Sequence, residues 1–327
     1  MKIVHVEDRF HPGMGYQINY MARFHRAENE FIILTSTSTS IWGNIPQEEL
    51  DVLDREFEQK YQVKIVRLDA YMAADQKSNV WIKGLIAKLK ELKPDVIYAH
   101  GIEYYSTIRI FSVFSNTKVV LATDTHTLYN QFKGGIKESI YFKLINSLVI
   151  SKINKHKIKS FYTATENKTI MLDDYGVEPS NIFPCPIGTD LDVFRYDEQE
   201  RTNVRGDLKI TEKERVLLYT GKLNYRKEPH LILKAIEMVE NKIDFPLTLV
   251  FVGSVEEKYY QENFKHNIKN ANIKIIELPP QPNDQLYKYY SMADFAVFPK
   301  ENTLSALDAQ ACKLPVIMQS DVTNNER

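Results

Sequence analysis

Residues 216–236 read VLLYTGKLNYRKEPHLILKAI, and this stretch decides the fold. The apolar run Val216 to Thr220 suits a strand covered on both faces, and Leu231, Ile232, Ala235, Ile236 and Val239 recur at helical spacing after Pro229. Between strand and helix lie Gly221, Lys222, Arg226 and Lys227. Pro229 suits the first helical turn, where unpaired amides and the helix dipole favour negative charge, and cations on the preceding loop reinforce that preference. A diphosphate fits such a loop. A solvated basic loop would carry the same residues, so the segment alone leaves both readings open.

The same unit repeats along the chain. Strand-like runs occur at 2–6, 31–35, 63–68, 95–99, 117–123 and 160–165, with amphipathic helices between most of them. One such helix is expected over 80–92, where Ile82, Leu85, Ile86 and Leu89 line one face. A second series follows at 215–220, 247–253, 273–278, 294–299 and 315–319. The charged segment 192–210 between the two series is poor in strand formers. The pattern predicts an α/β protein of two Rossmann-like, doubly wound domains, residues 1–200 and 201–327, facing each other across a cleft.

At 327 residues and 43% hydrophobic content the chain can bury two cores. Its 42 Lys+Arg balance 43 Asp+Glu at a formal net charge of -1, so bulk charge gives no argument for nucleic acid, and none is expected as a partner. Cys185 and Cys312 sit apart in apolar, proline-containing contexts, as reduced core cysteines would. The start, MKIVHVEDRF, turns charged at once, which fits neither a signal peptide nor a membrane anchor and predicts a cytoplasmic protein. Lys133, Lys137, Lys143, Lys152, Lys155, Lys157 and Lys159 lie among Ile136, Ile140, Tyr141, Phe142, Leu144, Ile145, Leu148, Val149 and Ile150, opposed only by Glu138. Such a helix fits peripheral contact with an anionic membrane at the inner face of the cell membrane, and equally a core-packed helix with a wet face.

Candidate chemistry gathers at strand ends. Residues 298–317 read FPKENTLSALDAQACKLPVI, a strand, a polar loop and a helix from about Thr303 whose first amides can receive a phosphate. Asp308, in its second turn, can reach back over that mouth and accept from two vicinal hydroxyls, although an exposed surface acid is the commoner role for Asp. His11-Pro12-Gly13-Met14-Gly15 follows the first strand, with a helix expected from Tyr16. As a dinucleotide fingerprint it fails, since Ile18 replaces the third glycine and the second strand ends without an acid. Gly13 and Gly15 then mark either a ligand loop or a plain turn.

These segments together resemble family 4 glycosyltransferases of the GT-B fold, retaining enzymes that use nucleotide-sugar donors. The family's G-[RK]-L-x-x-x-K-G segment is matched by Gly221-Lys222-Leu223 and Lys227, with Glu228 in place of the last glycine. Its E-A-x-A-C-G-x-P-V segment is matched by Asp308-Ala309-Gln310-Ala311-Cys312-Lys313-Leu314-Pro315-Val316. The resemblance implies that Lys222 and Lys227 hold the donor diphosphate, that Asp308 holds the ribose, and that Gly13 and Gly15 approach the donor. It places a sugar-contacting glutamate at Lys300, so that Glu301 takes that role if the loop is shifted, with Asn302, Thr303 and Leu304 where glycines usually stand. His126 in Thr123-Asp124-Thr125-His126-Thr127 falls where relatives carry a histidine facing the transferred sugar, and His100 in Tyr98-Ala99-His100-Gly101 is expected to line the cleft or hold structure. Residues 184–190 resemble the family's P-x-G-V-D segment, so Asp190-Leu191-Asp192 belongs to the domain connection and no metal is expected. The catalytic set is then His126, Glu301 and Lys227. The implied activity is hexosyl transfer from a UDP- or GDP-linked donor, with no separate cofactor, to a glycan or lipid-linked acceptor in surface polysaccharide or glycoconjugate synthesis. Further helices past Arg327 would complete the second domain. A non-catalytic nucleotide-sugar-binding or regulatory module, or a sugar-nucleotide epimerase, would share much of this pattern.

Overall fold

A computed structural model of the protein describes residues 1–39, 45–72, 80–128, 140, 143–239, 242–265, 267, 273–300 and 303–326. The chain divides into two compact units, Met1–Ile187 and Gly188–Arg327. Each is built on its own parallel sheet.

The first unit contains β1 (Lys2–Glu7), β2 (Glu30–Ser36), β3 (Lys64–Leu68), β4 (Ala70–Met72), β5 (Val80–Ile82), β6 (Val96–Ala99), β7 (Val120–Thr125), β8 (Lys159–Tyr162) and β9 (Ile182–Pro184). Seven of these pair in the order β3-β2-β1-β6-β7-β8-β9, all parallel, while β4 and β5 form an antiparallel hairpin. Its helices include α1 (Gln17–Arg23), α2 (Gln47–Tyr61), α3 (Leu85–Leu92), α4 (Tyr105–Phe114) and α5 (Ser151–His156). Strand alternation splits β2 between two cores. Ile32 and Leu34 join Leu85, Leu89, Ile110, Phe111 and Ile153 from α3, α4 and α5. Phe31 and Ile33 join Ile18, Ala22 and Phe57 from α1 and α2. Helices on both faces of a parallel sheet are the doubly wound arrangement expected from the alternating pattern.

The second unit contains α6 (Glu198–Asp207), β10 (Arg215–Thr220), α7 (His230–Val239), β11 (Leu247–Val252), β12 (Lys274–Leu278), α8 (Leu286–Met292), β13 (Phe295–Phe298), α9 (Leu304–Ala311) and β14 (Val316–Met318). Its strands run β12-β11-β10-β13-β14, again all parallel. All six residues of β11, LTLVFV, are buried, which is why they read as an unbroken apolar run. Strand order reverses between β1 and β6 and between β10 and β13, and in such sheets the crevice beyond the carboxyl ends at the reversal is where ligands sit.

The structure departs from the sequence reading at three places. The helix expected over 80–92 begins only at Leu85: Val80, Trp81 and Ile82 pair with β4, and Gly84 takes a left-handed turn at φ +65° between strand and helix. The unit boundary falls at Ile187/Gly188 rather than near residue 200, because the charged segment folds into α6 and docks on the second unit. Arg205, almost fully buried, donates to the carbonyls of Met292 (2.9 Å), Thr211 (2.7 Å) and Glu214 (2.7 Å), and Arg201 pairs with Asp294 at 3.0 Å. In α7 the buried face is His230, Ile232 and Leu233, while Ala235 and Val239 are exposed. Of the lysine-rich stretch, Lys133, Ile136, Lys137, Glu138, Tyr141 and Phe142 lie outside the described residues. Over 143–159, Ile145, Val149, Ile150 and Ile153 turn into the core and Lys143, Lys155, Lys157 and Lys159 point to solvent. No helix among the described residues is long and apolar enough to cross a membrane.

Candidate functional site

In the second unit, the loop that follows β10 is stitched to the loop that follows β11. Gly221 N–H donates to Val252 O (3.0 Å), Leu223 N–H to Ser254 O (2.8 Å), and Glu256 N–H to Leu223 O (3.0 Å). A Cβ at Gly253 would lie 1.8 Å from the Gly221 carbonyl oxygen, so this close approach requires glycine. The loop then turns on Asn224, whose Oδ1 accepts from Lys227 N–H and whose carbonyl accepts from Glu228 N–H, both at 3.0 Å. Lys222 and Arg226 are exposed, Lys227 is half-buried, and Pro229 is buried immediately before α7. Glu228 adopts φ +44°. The left-handed conformation costs a residue with a Cβ about 1–2 kcal/mol, which explains the preference for glycine there in the motif that the loop resembles.

Across the strand-order reversal, the loop following β13 carries Lys300, whose ammonium lies 3.3 Å from the Glu228 carboxylate. The two positions that depart from the motifs therefore pair with each other. Glu301 and Asn302 lie outside the described residues, so the shifted-loop expectation for Glu301 has no structural description. Thr303 caps α9, its hydroxyl accepting from Ser305 N–H (3.3 Å), so part of the helix-terminal amide array is already engaged. Leu304 is the first residue of α9.

Asp308 is not a surface acid: it is buried, at 4% exposure. The Thr189 hydroxyl donates to its Oδ1 at 2.5 Å, and Tyr290 and Cys312 lie close enough to feel its charge. Burial pushes the Asp308 carboxyl up to about 7, against the opposing pull of the Thr189 hydrogen bond. The carboxylate thus combines accessibility to protonation near neutrality with a position in the second turn of the helix at the mouth. Asp190 is spent locally, its Oδ1 accepting from Asp192 N–H (3.0 Å) and its carbonyl from Val193 and Phe194 N–H. Among the described residues no group of three or more His, Cys, Asp or Glu is arranged to hold a metal ion.

In the first unit, Gly13 and Gly15 lie in the loop following β1. Gly13 N–H donates to His11 Nδ1 (2.9 Å), and the Asn19 amide holds the loop by donating to the carbonyls of His11 and Pro12 (both 3.1 Å). Gln17 donates to the Cys185 sulfur at 3.3 Å, and both cysteines are free thiols.

The densest polar cluster of this unit stands at the ends of β1, β6 and β7. Asp124, fully buried, accepts from Gly101 N–H through Oδ1 (2.8 Å) and from His100 Nδ1 through Oδ2 (2.8 Å). His100 Nε2 in turn meets His5 Nδ1 at 3.1 Å. His126 Nε2 lies 3.6 Å from Asp124 Oδ2, an ion-pair separation longer than a hydrogen bond. Gly101 is obligatory, since at φ +85° its Cβ would meet the Tyr104 ring at 2.6 Å. Burial alone would raise Asp124, but His100 and His126 outweigh it and hold the carboxyl far below the usual range. Beside it, Glu103 Oε1 accepts from Thr125 (2.6 Å), Tyr175 (2.8 Å) and Thr127 (2.9 Å). Burial, then Asp8 and Asp124, push Glu7 well above the carboxylate range, and burial pushes Asp8 up to about 6.

The sequence-selected residues therefore fall into two groups. Lys222, Lys227, Thr303, Leu304 and Asp308 belong to the loops and helix that flank the reversal in the second sheet. Gly13, Gly15 and His126 lie on loops at the carboxyl end of the first. Sequence reasoning missed Asp124, Glu103, Thr189 and the Glu228–Lys300 pair. An acid at the end of an apolar strand, as in LATDT, is the one local signal that could have flagged Asp124.

The family described as glycosyl transferases group 1 matches residues 200–326. A D-inositol 3-phosphate glycosyltransferase of Geodermatophilus obscurus is 32% identical over 166 residues, covering 47% of this chain and 36% of that protein. The chain thus spans little more than a third of that relative's length. Among solved structures, Anabaena HepE in complex with UDP matches with a TM-score of 0.72 at 12% identity, covering 100% of this chain and 82% of the other. WaaG, a glycosyltransferase involved in lipopolysaccharide biosynthesis, matches with a TM-score of 0.65 at 15% identity, covering 97% and 80%. The fold is GT-B, with two Rossmann-like units, and the match to the glycosyl transferases group 1 family falls within the second.

Proposed function

We propose that the protein is a retaining glycosyltransferase that moves a hexose from a UDP- or GDP-linked donor to a glycan or lipid-linked acceptor. The observation that carries this reading is the second unit's strand-order reversal. There a loop bearing Lys222, Arg226 and Lys227 stands beside a helix whose second turn holds a buried carboxylate. A nucleoside diphosphate needs those two things, cations for phosphate and an acceptor for vicinal ribose hydroxyls. Lys222 and Lys227 would stabilise the departing diphosphate, and Asp308 would hold the ribose. Such electrostatic stabilisation of a leaving group needs no protein nucleophile. The solved HepE structures, which contain UDP and UDP-glucose, support the donor class.

The Glu228–Lys300 pair favours a second reading, a nucleotide-sugar-binding module without turnover, because it puts an ammonium where the motif expects an acid. Calorimetry with UDP- and GDP-sugars beside a donor-hydrolysis assay separates the two. Turnover that Lys227→Ala abolishes supports the enzyme; binding without turnover supports the module. Absence of nucleotide binding sinks both, and epimerised donor in the absence of acceptor points to an epimerase. Peripheral contact with anionic lipid, through Lys143 and the exposed Ile140 and Leu144, belongs to the same reading and is tested by co-sedimentation with anionic vesicles.

A further inference from the structure

The β4–β5 hairpin of the first unit turns its aromatic residues away from the core. Tyr71 and Trp81 stand directly opposite each other in the antiparallel pair, so their side chains share one face, with Cβ atoms about 5 Å apart. Val80 and Ile82 take the other face and are fully buried in the core, which fixes the hairpin to the sheet. Tyr71 and Trp81 are 63% and 49% exposed. Adjacent exposed rings with a polar rim mark an interaction surface rather than scattered surface residues.

That rim is charged. The Lys83 ammonium stands 4.1 Å from the centre of the Tyr71 ring, and the Arg109 guanidinium 4.2 Å from that of Trp81. Each cation covers one face of its ring, and the exposed remainder is what a ligand meets. Arg109 reaches over from α4 and donates to the Ile82 carbonyl (2.7 Å), which ties the helix to the hairpin. Among the described residues that is its only hydrogen bond. Asp8, the acid that acts on its charge, is buried and accepts from Ser106, so the rest of the guanidinium fork is open. Lys83 N–H donates to Asp69 O (2.8 Å), and the exposed Asp69 carboxylate lies 3.9 Å from the Lys83 ammonium.

These groups meet the needs of a sugar ring. A pyranose has an apolar face of C–H bonds, which the negative face of an aromatic ring attracts, and a rim of hydroxyls that need donors and acceptors. Lys83 and Arg109 supply donors, and Asp69 supplies an acceptor. Two cations against one acid leave the rim positive, and a planar guanidinium matches a carboxylate with two parallel hydrogen bonds. We propose that the Tyr71–Trp81 face is a binding platform for an acidic oligosaccharide, whose rings stack on Tyr71 and Trp81 while a carboxylate pairs with Arg109. This goes beyond the glycosyltransferase reading, since it needs neither a nucleotide-sugar donor nor the second unit. A bilayer suits the surface less well, because Asp69, Lys83 and Arg109 around the rings are charged and would not enter the acyl region.

Calorimetry of the full chain with oligogalacturonate, its methyl ester and phosphatidylglycerol vesicles tests the assignment. Oligogalacturonate should bind, with affinity falling as salt rises, and the ester, which keeps the rings and loses the charge, should bind at least about fivefold more weakly. Trp81→Ala should weaken oligogalacturonate at least about tenfold while leaving the melting temperature and any nucleotide-sugar affinity unchanged, because the ring is half exposed and its loss opens no cavity. Arg109→Gln should bring acid and ester to equal affinity. If Trp81→Ala does not fold, Tyr71→Ala, which truncates the more exposed ring, carries the same expectation. No binding of oligogalacturonate, equal wild-type affinity for the ester, or undiminished affinity in the ring variant overturns the proposal. Vesicle binding that the ring variant abolishes, with oligogalacturonate unbound, overturns it too and gives the surface to the membrane. Donor binding and turnover are read separately, so failure of the glycosyltransferase reading leaves this result standing.

Discussion

Asp308 should couple donor binding to proton release. The perturbation is pH, with Asp308→Asn as the variant that cannot ionise. Burial pushes the folded-state carboxyl up to about 7, while an unfolded aspartate ionises near 4. An acid that holds its proton more tightly when folded makes the folded state bind more protons than the unfolded state between those values. Stability is therefore fully present below about pH 4 and is lost as pH rises towards 7. About three pH units at about 1.4 kcal/mol each give about 4 kcal/mol that ionised Asp308 withdraws from the free protein by pH 8. Ribose hydroxyls donate hydrogen bonds, so they select the ionised form. Near pH 6, where Asp308 is mostly neutral, binding should release close to one proton, falling towards zero by pH 8.5, and affinity should weaken about tenfold per pH unit below 7. Isothermal titration calorimetry in two buffers of different ionisation enthalpy counts the protons. A nucleotide sugar is the right ligand because its esterified diphosphate exchanges no proton in this range. Asp308→Asn should abolish the release and match wild-type affinity only at low pH. Tight binding at pH 6 with no proton released, or unchanged affinity of Asp308→Asn at pH 8, would refute the ribose role.

Thr189→Val removes the hydroxyl that holds the ionised form, so the Asp308 midpoint should move above 7 and stability at pH 8 fall by about 1–3 kcal/mol, read by urea melts at pH 5 and pH 8. Glu228→Gly and Lys300→Glu each break the pair across the loops. Because Gly also relieves the left-handed backbone at Glu228, the single Gly change should leave stability within about 1 kcal/mol of wild type, and a double-mutant cycle should give a coupling below about 1 kcal/mol for so exposed a pair. Arg205→Met removes the buried guanidinium that donates to the carbonyls of Met292, Thr211 and Glu214 and should cost about 3–5 kcal/mol in urea denaturation of the second unit. Gly253→Ala drives a Cβ into the Gly221 carbonyl and should weaken nucleotide-sugar binding at least about tenfold by calorimetry, whereas Gly176→Ala, with open space at its Cβ, serves as a control for left-handed strain alone.

What could be read from the sequence was what is local. β11 announces itself because a strand covered on both faces must be apolar throughout, and the loop after β10 because its glycine, cations and proline act within nine residues of one another. The segment 80–92 misled for the converse reason: Ile82 and Leu85 fall at helical spacing by coincidence, one facing the core from a hairpin and the other from a helix. Gly84 between them was the available warning. Spacing alone left an exposed surface role open for Asp308, because the Thr189 hydroxyl that shelters it lies 119 residues away in sequence. Asp124 and His100 find each other only through the pairing of β6 with β7.

The motif departures carry the sharpest lesson. Taken one at a time, Glu228 in place of a glycine and Lys300 in place of an acid each count against a working site. Together they form a single ion pair 3.3 Å long, bridging the two loops on either side of the reversal. The charge that Lys300 adds is offset by the charge that Glu228 adds, so the local electrostatic sum at the mouth stays positive by the margin of Lys222, Arg226 and Lys227. A diphosphate entering that field would draw the Lys300 ammonium, and Glu228 sets the pull it must overcome. Neutralising Glu228 alone, as Glu228→Gln, should therefore tighten free nucleoside diphosphate more than it tightens neutral sugar, a comparison calorimetry makes directly. Equal or weaker diphosphate affinity in that variant would mean that Lys300 does not respond to the phosphates.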